Sequence, residues 1–304
     1  MASKLQKHNP PGQQAIAKKG WLLAHKWLIL RRLSQFSILA LFLAGPLFGY
    51  WIVKGNMASS LTLEVLPLSD PYVMLQGMMA GNFPVTEGLI GTGIVLLFYL
   101  LIGGRVYCSW VCPVNIVTDT ASWLRRKLGL KVSSQFSRST RYWLLALTLI
   151  LPPITGTIVW ELFNPVSLMF RGIIFGMGWA WMVIIAVFLF DLLVSQRGWC
   201  GHLCPVGAFY SLLGTKSLLR VSAANREQCD DCNDCFVVCP EPKVIRPALK
   251  GAEQGIGPLI DESNCSNCGR CIDVCDEDVF NFTNRFNNYE TVKEKEESPV
   301  GHVS

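Results

Sequence analysis

"RVYCSWVCPVN", residues 105–115, closes a long apolar stretch with two cysteines four positions apart and a proline directly after the second. Ninety-two residues later, "RGWCGHLCPVG" at 197–207 repeats the frame at the end of another apolar stretch. The shared pattern is Arg-x-aromatic-Cys-x-x-x-Cys-Pro-Val. It falls on Arg105, Tyr107, Cys108, Cys112, Pro113 and Val114, and again on Arg197, Trp199, Cys200, Cys204, Pro205 and Val206. Positions four apart share one face of a helix, although a proline disfavours helix in the residue before it. A single such cysteine reads as a small packing residue. Two identically framed pairs read as a redox site, whether the thiols hold iron or act alone.

The surroundings set the expected fold. Of 304 residues, 51% are hydrophobic and only 16% charged, whereas a soluble domain carries about 25% charge. Four apolar stretches, approximately 33–53, 85–104, 142–163 and 173–194, reach the roughly 17–25 residues that a bilayer crossing needs. Glycines at 88, 91 and 93 dilute the second, as glycine commonly does in membrane helices. Buried helices of a soluble protein are the competing reading. The expectation is therefore an α-helical membrane protein of four transmembrane helices arranged as two parallel repeats, with a pseudo-two-fold axis that brings the cysteine loops together.

Charge gives the orientation. The first 32 residues hold seven Lys or Arg and no acid, and the 105–141 connection holds seven more against Asp119. Lys54 faces Glu64 and Asp70 between the first two stretches, and Arg171 stands alone between the last two. Positive charge stays on the cytoplasmic side, so both termini are expected there. The N-terminal segment lacks a small-residue cleavage site after its apolar run and reads as an anchor, not a signal peptide. In a reducing compartment, cysteines are metal ligands or redox groups more often than disulfides.

After "KSLLRVSAANREQ" at 216–228 the composition turns acidic and cysteine-rich. "CDDCNDCFVVCP" at 229–240 and "CSNCGRCIDVCD" at 265–276 both carry Cys-x-x-Cys-x-x-Cys-x-x-x-Cys, the spacing of bacterial two-cluster ferredoxins. Three cysteines two residues apart wrap one [4Fe–4S] cubane, and the fourth reaches the other cluster. One cluster is thus expected on Cys229, Cys232, Cys235 and Cys275, the other on Cys265, Cys268, Cys271 and Cys239. Asp276 stands where the second motif would carry proline, which removes no ligand. Zinc also uses Cys-x-x-Cys, but two complete four-cysteine copies favour iron. The expected division is a basic segment 1–32, a membrane domain 33–215, an α+β ferredoxin domain 216–290 and a polar tail 291–304.

Taken together, "KKGWLLAHKWLILRRLSQF", "GPLFGYWIVKGN", "CSWVCPVN", "NPVSLM", "GWCGHLCPVGA" and "CPEP" resemble the NapH family, the ferredoxin-type membrane subunits of periplasmic nitrate reductase systems. The resemblance spans nearly the whole chain. It implies a multi-pass protein of the bacterial inner membrane that takes electrons from quinol and works with a second ferredoxin-type subunit, NapG. The membrane tetrahaem cytochrome NapC and the periplasmic nitrate reductase lie further along the route; nucleic acid is not among the expected partners. Relatives that regulate nitrous-oxide reductase or handle copper for oxidase assembly carry periplasmic extensions that this length does not accommodate. The alternative is a maturation or redox-maintenance factor for a periplasmic metalloenzyme, or a structural anchor. Cys108, Cys112, Cys200 and Cys204 are the candidate third redox site. Glu161, with Arg171 across the turn, and Asp191 are candidate proton-handling acids, because acids within apolar stretches are functional suspects. His25 and His202 read as structural groups.

Overall fold

The computed structural model describes residues 10–130 and 136–286; the expected tail at 291–304 lies outside them. The chain divides into two compact units. One holds the described parts of Met1–Ala24, Leu218–Asp261 and Gly269–Ser304, the other His25–Ser217 together with Glu262–Cys268.

The expected four transmembrane helices do not form among the described residues. One helix, Leu23–Phe48, is long and apolar enough to cross a membrane, at 26 residues. It ends at Gly49, whose φ of 79° turns the chain back so that the Gly49 N–H meets the Gly45 carbonyl and the Tyr50 N–H the Ala44 carbonyl. The second apolar stretch yields the 17-residue helix Thr86–Ile102. The third splits into Thr140–Thr155, which carries Pro152 and Pro153 and stops at left-handed Gly156, and the short Trp160–Phe163. The fourth breaks at left-handed Gly176 between Pro165–Phe175 and Gly178–Leu189. Apolarity says which residues avoid water, while proline and left-handed glycine set how long a helix runs unbroken. The hydropathy count saw only the first of these.

The connection after the first helix is also no simple turn. Val53–Gly55, Ser59–Thr62 and Leu66–Ser69 form an antiparallel sheet in that order, with Val53 opposite Thr62 and Leu61 opposite Pro67. The third strand runs along the Thr86–Ile102 helix. A methyl at Gly91 would stand 2.9 Å from the Pro67 carbonyl, so this glycine serves strand-on-helix contact. Asp70 and Pro71 then start the helix Pro71–Met79, Asp70 Oδ1 accepting the Tyr72 N–H at 2.8 Å. Asn164 and Pro165 start Pro165–Phe175 in the same way, with a 3.1 Å bond from the Val166 N–H. The repeat therefore reaches back beyond the cysteine loops. Outward faces stay apolar: Leu89, Ile90, Leu97 and Phe98 are exposed on one helix, Met182, Ile185 and Leu189 on another.

The smaller unit pairs Leu219–Ser222 with Asn281–Asn284 and packs the short helices Asp234–Val238 and Arg270–Val274 together. Its core is Val221, Val244, Ile245, Leu249, Ile260 and Phe280. The helix Gln13–Lys19 lies on Arg270–Val274, tied down by the Gly12 N–H to Asp234 Oδ2 at 2.7 Å and by Lys18 to Glu277 at 2.7 Å.

Candidate metal centres

The two opening motifs fold alike. Tyr107–Val111 and Trp199–Leu203 are single π-helical turns, each closed by an N–H from the second cysteine to the aromatic carbonyl, Cys112 to Tyr107 and Cys204 to Trp199, both at 2.9 Å. Each second cysteine is extended, with φ and ψ of −65° and 118° at Cys112 and −70° and 113° at Cys204. Proline then opens a new helix, Val114–Lys127 or Pro205–Leu213. This turn directs N–H groups toward sulfur: those of Val114 and Asn115 toward Cys112, and of Val206 and Gly207 toward Cys204.

The four thiols converge. A methyl at Gly207 would lie 4.0 Å from Cys108 Sγ and from Cys204 Cβ, and 3.5 Å from the Cys200 carbonyl. Cys108, Cys112 and Cys204 pack against one buried cluster, and charge on any of them would be felt at Cys200. None is in a disulfide. Loss of water contact pushes all four thiols above the usual range, Cys204 to about 12, while the Arg105 guanidinium pulls Cys108 the other way. Left alone they remain protonated; a bound metal centre would take thiolates and release those protons. Four sulfurs, converging N–H groups and a neighbouring guanidinium fit an iron–sulfur cluster, which would supply one-electron storage.

Supports reach the loops from several helices. Gln35, fully buried, donates to the Ser109 and Cys112 carbonyls at 2.9 and 3.3 Å. Arg105 crosses to the Cys200 carbonyl at 3.2 Å, and Arg197 crosses to Asp119 at 3.4 Å, so each motif's arginine grips the other half. Asp191, a candidate proton-handling acid, is buried and braces the second π-turn: its Oδ1 accepts the Trp199 N–H at 2.9 Å, and loss of water contact pushes its carboxyl from 3.8 to about 7. Glu161 accepts from Asn164 at 2.8 Å and Ser167 at 2.6 Å, and among the described residues no ion pair joins it to Arg171. The His202 ring lies beside Phe136.

In the ferredoxin region, left-handed residues recur at matching positions: Asp231 and Asn233 in the first motif, Asn267 and Gly269 in the second. Alternating handedness folds successive N–H groups into a concave nest suited to an anionic cluster. Cys229, Cys232, Cys235 and Cys275 line one small pocket with Phe236, Leu249 and Val279. Burial pushes Cys232 to about 11 and Cys235 to about 12. The other expected set is divided: Cys239 and Cys271 belong to the smaller unit, Cys265 and Cys268 to the larger. In the larger unit, 262–268 is pinned to the first cysteine loop. Ser109 Oγ donates to the Ser266 carbonyl at 2.7 Å, Trp110 Nε1 to Asn267 at 3.0 Å, and Arg105 to Asn264 at 2.9 Å.

Two contributors escaped the sequence reading. Lys19 donates to the Cys275 carbonyl and to Asp278, placing a cation beside the first pocket. Lys19→Gln removes charge that favours an added electron, so one cluster's reduction potential falls by on the order of 50 mV. A redox titration checks this; unchanged potentials would count against the contact. The second is Asp70, whose buried carboxyl is pushed from 3.8 to about 6 by loss of water contact, against the pull of bonds from Tyr72 and Tyr210. A raised acid pKa means the folded chain binds more protons than the unfolded one between those values, so stability drops as pH rises through them. Asp70→Asn is therefore expected to melt higher at pH 8, by at most about 3 kcal/mol, the advantage vanishing below about pH 4. The visible signal was the Asx-Pro pair shared with Asn164.

Comparison with known proteins agrees with this geometry. Residues 85–131 and 177–221 match the 4Fe-4S binding domain family, and 228–279 match the 4Fe-4S dicluster domain family. Cluster-binding signatures are thus not confined to the C-terminal domain, a second correction to the expected fold. The methylamine utilization ferredoxin-type protein MauN of Methylorubrum extorquens is 56% identical over 90% of this chain and 94% of its own. MauN of Paracoccus denitrificans is 58% identical over 83% and 88%, and the ferredoxin-type protein NapH of Escherichia coli 48% identical over 91% and 96%. No solved structure matches. The chain belongs to the NapH and MauN family of ferredoxin-type iron–sulfur electron-transfer proteins.

Proposed function

We propose that this chain passes electrons from quinol through a centre on Cys108, Cys112, Cys200 and Cys204 to two [4Fe–4S] clusters, one on Cys229, Cys232, Cys235 and Cys275, the other on Cys265, Cys268, Cys271 and Cys239. The observation that carries the reading is the pinning of 262–268 against the first cysteine loop, through Ser109, Trp110 and Arg105. It holds the segment that carries Cys265 and Cys268 against the Cys108 loop, which favours a short electron path. The exposed apolar faces and the Leu23–Phe48 helix support attachment to the bacterial inner membrane. Lys18 and Lys19 precede that helix, which favours a cytoplasmic N-terminal end. The Gln13–Lys19 helix packs within the ferredoxin unit, so that unit belongs on the same side.

The onward acceptor is a partner ferredoxin-type subunit of the NapG kind. In one reading the route leads, with NapC, toward a periplasmic nitrate reductase. The identities of 56% and 58% to MauN, against 48% to NapH, favour a second reading in which the same wiring serves methylamine utilization. Anaerobic mixing of the purified, detergent-solubilised protein with a quinol analogue tests the donor. Bleaching of the cluster absorbance within the turnover time supports it, and no bleaching even with the partner subunit present removes quinol from the reading. Deletion in the native host separates the two routes by which is lost, growth on methylamine or nitrate reduction. Reductase left inactive even toward artificial donors would favour a maturation role.

A further inference from the structure

Asp70 is an unusual buried acid. Its Oδ1 accepts the Tyr72 N–H at 2.8 Å and the Tyr210 O–H at 3.3 Å. Among the described residues no Lys or Arg pairs with it. Other carboxylates of the larger unit differ: the partly buried Asp119 is held by Arg31, Arg32 and Arg197, and the buried Asp191 has Arg197 and Arg125 nearby. The groups facing Asp70 are Tyr72 on its own helix, Tyr99, Tyr107 and Tyr210 from three other elements, and the like-charged Glu161. Gln76, fully buried on the same helix, turns toward the Tyr72 hydroxyl, yet neither amide atom reaches hydrogen-bond geometry. The cap itself does not require charge, since Asn164 makes the equivalent bond in the other repeat.

The carboxylate is linked to the four-thiol site by one ring contact. Tyr210, which donates to Asp70, stacks on Tyr107 at 4.8 Å and 17°. Tyr107 immediately precedes Cys108. Tyr99 closes the group, 5.0 Å from Tyr210 and 6.0 Å from Tyr107. Such packing leaves little water between the two sites, so charge added at one is weakly screened at the other. A carboxylate with no cationic partner has a single route to neutrality, which is to take a proton.

We propose that Asp70 is a redox-linked proton site for the four-cysteine centre. It acts through the Tyr210–Tyr107 contact, and the inference rests on the cluster assignment made above for Cys108, Cys112, Cys200 and Cys204. When the donor gives up one electron to that centre, one solvent proton forms an O–H bond on the Asp70 carboxylate. When the electron moves on, that bond breaks and the proton returns to solvent. Tyr210 keeps its own O–H throughout.

The test is a redox titration of the full chain in detergent, followed by EPR between pH 5.5 and 8.5. In the native chain the four-cysteine signal is expected to shift by about 59 mV for each tenfold change in proton activity over part of that range, the one-electron conversion. Asp70→Asn, which keeps the cap oxygen, should flatten that dependence while the two ferredoxin signals stay unchanged. Tyr210→Phe, which keeps the stacked ring but removes the O–H, should move the pH-dependent region upward. A present but pH-independent centre in the native chain, or an unaltered slope in Asp70→Asn, overturns the inference and leaves the cluster assignment intact. A native chain without any third signal sinks the assignment and the inference with it.

Discussion

Chains carrying both Cys108→Ala and Cys200→Ala are expected to purify with about eight iron atoms in place of about twelve, with one cluster signal missing and two retained. The two side chains belong to opposite halves of the repeat, and each is the first cysteine of its π-turn. Removing both leaves two thiols, too few for a four-sulfur cluster. The fold should survive. Cys200 Sγ makes a long 3.9 Å contact with Thr118, and trimming one sulfur from each site costs about 1 kcal/mol of packing apiece. Iron, zinc and acid-labile sulfide per chain, with EPR, decide the matter. Equal iron in both forms would mean that the four thiols hold no cluster, and zinc in place of iron would move the site to another chemistry.

Gly104→Ala should be the most damaging single substitution in the larger unit. A Cβ there would lie 1.7 Å from the Tyr210 carbonyl oxygen and 2.7 Å from the Gly214 nitrogen, both backbone atoms that no rotamer change can move aside. The usual overpacking cost of about 1–3 kcal/mol is therefore a lower bound. Relief requires the 102–105 segment to swing off the end of the Pro205–Leu213 helix. That motion would separate Tyr107 from Tyr210 and spread the four thiols. The variant is expected to give little folded protein, and what folds should lack the four-cysteine signal while keeping the cluster in the Cys229 pocket. Gly93→Ala is the matching control: nothing lies within 4 Å of its added methyl, so helix propensity makes it neutral or slightly stabilising. Native yield and stability in Gly104→Ala would refute the close approach.

The chemistry was more legible in the sequence than the architecture. The ferredoxin spacing could be read because a cluster's ligand demands are local: Cys229, Cys232 and Cys235 wrap one site through left-handed Asp231 and Asn233, all within seven residues. The doubled Arg-x-aromatic-Cys-x-x-x-Cys-Pro-Val frame was legible for the same reason, and it folded into two near-identical turns. The helices were less so. Hydropathy over a window cannot distinguish a spanning helix from two pieces joined at Gly156 or Gly176, because both bury the same residues. The brace that Asp191 gives the second π-turn through Trp199 was not legible either, because it depends on where that turn folds.

What the sequence determined by itself is the spacing of the cysteines in two repeated frames and the iron–sulfur electron-transfer class. Each rests on residue types at short fixed spacing. Only the tertiary structure decided that the strands at 53–69 fold back along a helix, that 262–268 is pinned to the Cys108 loop, and that Asp70 meets Tyr210. These contacts join residues as many as 159 positions apart. Their existence depends on the packing of whole helices, with Gly91 and Gly104 admitting backbone where any side chain would hold it away, and no local pattern encodes that.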